Sequence, residues 1–464
     1  MSYIYEKFQR ESAIKSFDLS HRNTIKYNID KYNAAVIKGK KQYKNLELAR
    51  RQAAYIKYKS IENLENSLKD FESNFTKQGG HVIWAQDAAE ACKEIAKILQ
   101  EHHVTMVVKS KSMVTEELDL DEFLAKKGIE CIETDLGEYI VQLTGDKPYH
   151  IVTPVMHKSA KDIADIFHKK FGLPLESTPA EITAFVRNTL RSKFEHAQAG
   201  ITGANFLVAS SGSVALTENE GNGIMSASLP PIHIVVAGIE KVIANIQDLH
   251  LFWPLLATFG TGQRITAYNS IINGPKKKNE ANGPEKMFVI LLDNGRSNLL
   301  SKIPQRRALS CIRCGSCLNA CPIYRNVGGH AYGSVYSGPI GAVITPHLKN
   351  NMQDYKHLSY ASSLCGKCTE VCPVNIDLHA QLLANRNFAV NKKMVAKPEK
   401  HSMYFWKKMM LHPWMIDVFP AKVKNFFLQR VFKKTWGNRR DLPEIQRKSF
   451  RQLWKEKQKG NTDQ

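Results

Sequence analysis

Long apolar runs are missing from this chain. No stretch approaches the roughly 18 consecutive apolar residues of a membrane-spanning helix, so none is expected. The opening Met1-Ser-Tyr-Ile-Tyr-Glu-Lys-Phe-Gln-Arg10 lacks the apolar centre of a secretory signal, and the expected address is cytoplasmic. Zinc-finger, RNA-recognition and basic-zipper patterns are absent, so nucleic acid is not expected as a partner. No Gly-x-Gly-x-x-Gly follows a strand-like run, and no glycine run ends in Gly-Lys-Ser/Thr. That removes the dinucleotide and phosphate-loop signatures. Acidic residues are in short supply: 44 Asp and Glu stand against 65 Lys and Arg, a net charge of +21 over 464 residues. Such an excess suits an acidic protein partner or peripheral contact with an anionic inner membrane face, and says little about fold. Cysteine is scarce except in one place. Of nine, seven lie between Cys311 and Cys372.

Crowded cysteines in a cytosolic chain point to metal rather than disulfides. The first motif is Cys311-Ile-Arg-Cys314-Gly-Ser-Cys317-Leu-Asn-Ala-Cys321-Pro322. Its C-x2-C-x2-C-x3-C-P spacing is that of bacterial ferredoxins, in which the fourth cysteine ligates the other of two clusters. The second is Cys365-Gly-Lys-Cys368-Thr-Glu-Val-Cys372-Pro373, with Ser362 where a first cysteine would stand. Exchanging the lone cysteines assigns Cys311, Cys314, Cys317 and Cys372 to cluster one. Cluster two receives Cys321, Cys365 and Cys368, with its fourth position at Ser362, another group, water or nothing. Zinc sites use two separated pairs, so this is a poor zinc pattern. Cys92, in a helical stretch, and Cys131, in a strand-like one, are expected to be small buried hydrophobes. The two cysteine motifs are the one internal repeat.

Around this region the texture changes in steps. Residues 1–75 have helical spacing, with apolar positions at 61, 64, 68 and 71, and are expected to form a helical arm or hairpin. Residues 76–295 alternate strands (82–84, 105–109, 128–134, 149–153, 232–237, 287–293) with helices (87–100, 182–194). That pattern predicts an α/β domain with a largely parallel sheet. Residues 296–395 form a helical ferredoxin-type region, in which Tyr324, His330 and Tyr332 are expected as neighbours of the clusters and not as ligands. Residues 396–464 form a basic helical tail. From 391 onward 19 Lys and Arg face 6 Asp and Glu, so more than half of the net charge lies there. Tyr404-Phe-Trp-Lys-Lys-Met-Met and the run 424–434 interleave basic and aromatic residues, as a docking surface for a partner subunit would.

The two cysteine motifs, Tyr360-Ala-Ser-Ser-Leu-Cys-Gly-Lys-Cys-Thr-Glu-Val-Cys-Pro-Val374 and the upstream run Gly203–Asn222 together resemble the lactate utilization protein B family, over nearly the full length. The resemblance implies an electron-transfer subunit of a three-protein system that oxidises L-lactate to pyruvate and allows growth on L-lactate. It implies two [4Fe–4S] clusters with the ligands assigned above, and an upstream domain like the sugar-phosphate isomerases and CoA-transferases. It also implies electron donor and acceptor proteins. Three cysteines on cluster two make it open to conversion to [3Fe–4S] when oxidised. No catalytic residue is named by the sequence. The alternative is an α/β enzyme binding a small anion or acyl group, with structural or regulatory clusters. For it Lys109, Ser110, Ser112, Ser211, Ser213, Glu218 and Glu220 are the candidate lining of a pocket near strand ends.

Overall fold

A computed structural model of the chain describes residues 2–412, 414–433 and 441–460. Lys434, the last residue of the basic run at 424–434, lies outside the described residues. The chain divides into two compact units, Met1–Phe388 and Ala389–Gln464.

At the centre of the first unit is a six-stranded, wholly parallel sheet. Its strands are β1 (His81–Ala85), β2 (Met106–Lys109), β3 (Glu130–Glu133), β4 (Ala199–Thr202), β7 (Ile232–Gly238) and β10 (Lys286–Leu292). They lie in the order β1-β10-β7-β4-β2-β3. A parallel strand covered on both faces needs apolar residues throughout. Ile-His-Ile-Val-Val-Ala-Gly supplies this for β7, and all seven residues are buried. The exception, His233, meets Thr202 Oγ1 through Nε2 at 2.8 Å while its Nδ1 has no partner, and burial pushes its imidazole down to about 3. A smaller sheet, β8-β5-β6-β9, sits beside it. It comprises β5 (Phe206–Val208), β6 (Ser213–Glu218), β8 (Val242–Ile243) and β9 (Tyr268–Ile272).

The covering helices follow their sequence signals. Asp87 caps Ala88–Glu101, which buries Ala91, Ile95, Ile98 and Leu99 on one face. Thr178 and Glu181 form a reciprocal capping box, with Pro179 at the first helical position of Pro179–His196. One expected strand does not form. Tyr149–Thr153 is a tight turn in which His150 Nδ1 accepts from the amides of Val152 and Thr153, at 3.1 and 3.3 Å. The Tyr149 amide bonds the Pro154 carbonyl at 2.9 Å. The backbone groups a strand would offer to a sheet are therefore used locally.

The N-terminal segment forms four helices, Tyr3–Phe17, Leu19–Lys40, Leu46–Glu62 and Leu64–Lys77. They are packed rather than detached. Phe8, Ile25, Ile29 and Ala53 share a core with Cys314, Cys317 and Tyr332. Leu64, Leu68, Phe71 and Phe75 pack on the sheet against Val235 and Val289. Past β10 the first unit is helical, and Gly338–Leu348 is buried at every position. The expected order of N-terminal helices, parallel α/β domain and helical cysteine region holds.

The second unit contains the helices Lys397–Leu411, Trp414–Asp417, Ala421–Phe427 and Phe450–Gly460. Tyr404, Phe405, Trp406, Phe426 and Phe427 are exposed. Among the described residues no helix is long and apolar enough to cross a membrane.

Candidate metal centres and the adjoining cavity

The two cysteine motifs share one backbone shape. Arg313 and Leu364, three residues before Ser316 and Lys367, have positive φ angles of 64° and 54°. Gly315 and Gly366 follow, each at φ 77°, ψ −7°, and each opens a short helix, Ser316–Ala320 and Lys367–Glu370. This left-handed step suits glycine and aims successive amides inward. In the first motif the Arg313 amide donates to Cys311 Sγ at 3.4 Å. In the second the Leu364 amide donates to Ser362 Oγ at 3.1 Å. Ser362 thus occupies the place of Cys311 in a matching loop. Arg386 holds that loop by donating to the carbonyls of Ser359 and Ser362, at 3.0 and 3.2 Å.

The fold brings the cysteines together in two sets. Cys317 is buried, and Cys311, Cys314 and Cys372 lie close enough to add to the rise of its thiol above the usual range. Burial, then Cys311 and Cys372, push Cys314 up to about 12. Burial also pushes Cys368 up to about 11, with Cys321 and Cys365 contributing. Cys365 is exposed and Cys311 is half-buried, while the other five are buried. The Ile376 amide donates to Cys372 Sγ at 3.3 Å, and the Arg50 guanidinium fixes the Cys372 carbonyl at 2.8 Å. Buried thiols crowded by like groups ionise only when a cation supplies the compensating charge.

Four thiolates on one zinc ion, each at about 2.3 Å, would sit about 3.8 Å apart. Among the described residues no three cysteine sulfurs lie within 4.8 Å of one another. The residues fit a group wider than a single ion, as an iron–sulfur cluster is. The trio that does meet this distance is Glu116, Asp121 and Glu133. Its centre is already taken by the buried Lys109 ammonium, which pairs with Glu133, with Glu116 at 3.2 Å and with Asp121 at 3.4 Å. Cys92 and Cys131 lie apart from both sets, their thiols directed at the Leu118 carbonyl and Asp121. Tyr324 donates to the Tyr149 carbonyl at 2.8 Å, and His330 Nε2 meets the Lys147 carbonyl at 2.6 Å.

A buried charge network joins the sheet to the first motif. Arg296 binds Glu117 through two nitrogens at 2.8 and 2.9 Å and Glu240 at 2.5 Å. Glu240 also pairs with Arg313 at 3.3 Å, and Tyr336 donates to Glu117 at 2.7 Å. Burial alone would raise Glu240; Arg296 and then Arg313 outweigh it and hold the carboxyl down to about 2.

A cavity of about 530 Å³ opens at the carboxyl ends of β2, β3, β4 and β7, where open α/β sheets bind ligands. Cys314 of the first motif forms part of its wall. Of the candidate lining residues, Ser110, Ser112, Glu218 and Glu220 are there. Lys109 is not, being locked in the acidic trio. Ser211 and Ser213 belong to the β5–β6 turn, bonded to each other at 2.7 Å, with Ser213 donating to Asn273 at 2.6 Å. Both oxygens of Glu218 are engaged by the amides of Gly223 and Ile224, at 2.6 and 2.8 Å, so this carboxylate caps a helix. Sequence reasoning missed Lys111, Lys241, Arg313 and Asp135, which also line the cavity. The available signal was Gly238-Ile-Glu-Lys241, an ion pair's worth of charge directly after a strand whose one polar residue is His233.

Residues 68–292 match the family described as LUD domain, and residues 307–376 match the 4Fe-4S dicluster domain. The molecule is thus a parallel α/β LUD domain joined to a dicluster iron–sulfur domain. Lactate utilization protein B from Bacillus thuringiensis (strain Al Hakam), Bacillus cereus (strain AH187) and Bacillus anthracis (strain A0248) are each 42% identical over 427 residues, covering 90% of this chain and 90% of theirs. The chain belongs to the lactate utilization protein B family. A crystal structure of a duf162 family protein from Deinococcus radiodurans covers 49% of this chain and 98% of its own, at 14% identity and a TM-score of 0.28.

Proposed function

We propose that this chain is the electron-transfer subunit of a system oxidising L-lactate to pyruvate. Cys311, Cys314, Cys317 and Cys372 would hold one [4Fe–4S] cluster; Cys321, Cys365 and Cys368, with Ser362 as an oxygen ligand, would hold a second. When bound, each cluster supplies a one-electron couple. The observation that carries the reading is the crossing of the two motifs, in which Cys372 stands with the first set and Cys321 with the second. Two clusters held by ligands exchanged between the motifs would be neighbours, as a relay requires.

The protein's own groups set the difference between the sites. Arg313 and Lys241 place positive charge near Cys311, which favours an added electron there. The exposure of Cys365 suits the second site to electron exchange with a docking partner. The basic, aromatic tail is the docking element for another subunit, and the address is cytoplasmic with contact at the inner membrane face. Iron and sulfide assay with electron spin resonance on anaerobically purified protein tests the reading. About eight irons and eight sulfides per chain are expected from two [4Fe–4S] clusters; zinc without sulfide would end it. Cys314→Ser should then lose one resonance signal and lactate-dependent electron transfer together. Transfer that survives without the cluster would favour the enzyme alternative, in which the clusters are structural.

A further inference from the structure

Two buried cations face the cavity without a full complement of partners. Lys241 is 8% exposed and makes no hydrogen bond or ion pair among the described residues. The Arg313 side chain is 10% exposed, and its Nη1 has no partner although Nη2 reaches Glu240. A buried ammonium or guanidinium nitrogen with no acceptor loses its hydration without return, so such groups mark the place of a missing anion. Both residues line the same 530 Å³ cavity as Cys314.

We propose that this cavity is a binding site for a small organic monocarboxylate bearing a hydroxyl or keto oxygen, and that its occupancy is linked to the redox state of the first cluster. The inference rests on the cluster reading above. Lys241 and Arg313 receive the carboxylate. Asp135, Glu218 and Glu220 line the same cavity and disfavour ligands with more than one negative charge. Glu220, exposed at the cavity rim, accepts from the Leu136 amide at 3.2 Å, so its carboxylate is held at the cavity mouth.

The linkage follows from shared charge. Lys241 and Arg313 also lie within electrostatic reach of Cys311, so the same two cations serve the cavity and the first cysteine set. An electron added at that set competes with the carboxylate for them. By reciprocity the bound carboxylate lowers the midpoint potential, and reduction weakens carboxylate binding by the same factor. A tenfold difference in affinity between oxidised and reduced protein corresponds to about 59 mV for a one-electron couple.

Titration calorimetry on the oxidised, cluster-loaded full chain, with L-lactate, pyruvate and inorganic phosphate as separate probes, tests the site. One equivalent of pyruvate or L-lactate should bind, with phosphate at least tenfold weaker. Lys241→Met should weaken binding tenfold or more with iron and sulfide unchanged, and Lys241→Arg should restore it. Redox-poised electron spin resonance of the wild type, with and without saturating probe, should move one midpoint potential downward and leave the other in place. Binding of phosphate alone, binding unaltered in Lys241→Met, no binding of any probe, or potentials indifferent to a bound probe would each overturn the proposal. The potentials decide it even where Lys241→Met does not fold. A chain lacking iron and sulfide would sink the cluster reading itself; a loaded chain that binds no probe sinks this inference alone.

Discussion

Ser362 accepts a hydrogen bond from the amide two residues on, as Cys311 does in the other loop. The hydroxyl therefore already stands where a thiolate would. An alkoxide oxygen is a harder and weaker ligand for iron than sulfur, so an iron held at that corner would be the first lost on oxidation. Ser362→Ala is expected to convert the second site to the three-iron form on brief air exposure. Ser362→Cys should retain full iron under the same treatment, with both outcomes read by electron spin resonance and iron content. A second residue sets a pH dependence. Glu138 is buried, its Oε1 has no partner, and burial pushes its carboxyl up to about 8. The folded state thus binds a proton that the unfolded state releases between about 4.5 and 8. Stability falls as pH rises through that window, and the penalty is complete above it. Glu138→Gln mimics the protonated form. It should leave the melting temperature almost unchanged at pH 4.5 and raise it by several degrees at pH 8.5, measured by scanning calorimetry.

At the scale of elements, the paired loops carry a contrast that can be measured. Gly315 and Gly366 have the same backbone angles, so alanine at either costs roughly 1–2 kcal/mol from the left-handed conformation. At Gly315 the new methyl would also stand 3.0 Å from His150 Cε1, whereas at Gly366 nothing lies within 4 Å. Gly315→Ala should therefore lower the melting temperature more than Gly366→Ala does and reduce iron content at the first site. These loops were legible in the sequence because both keep the same Cys-Pro spacing within a dozen residues, and the grouping of Cys372 with the first set and Cys321 with the second follows that spacing. The central sheet was legible because β7 is apolar apart from His233 and β10 is apolar after its first residue, Lys286. Tyr149–Thr153 was not, since its apolar alternation resembles a strand while its amides are spent on the His150 ring. The cationic end of the cavity was also hidden. Lys241 and Arg313 are 72 positions apart in the chain, each looks like an ordinary surface charge, and both are largely buried where the Ile239–Lys241 turn meets the first motif through Glu240 and Arg313.

For the whole molecule, the division at Phe388 separates a unit that contains every cysteine from one that carries much of the positive charge. Removing residues 396–464 is expected to leave iron content and the main melting transition unchanged. Copurification with the other subunits of the system should be lost, and the two results can be read from one truncated preparation. A stable truncated chain that still copurifies would assign docking to the first unit. Within that unit no such cut is available. Arg296 stands between the LUD and dicluster segments and is 0% exposed, with Glu117 and Glu240 as its partners. Removing one member of a buried ion pair costs about 3–5 kcal/mol, because the charge left behind has no solvent to return to. Glu240 leans on Arg313 as well, so each segment completes the other's electrostatics. The two segments are modular as text and inseparable as matter: a gene fragment encoding either alone would specify a surface that water could solvate only by taking the fold apart.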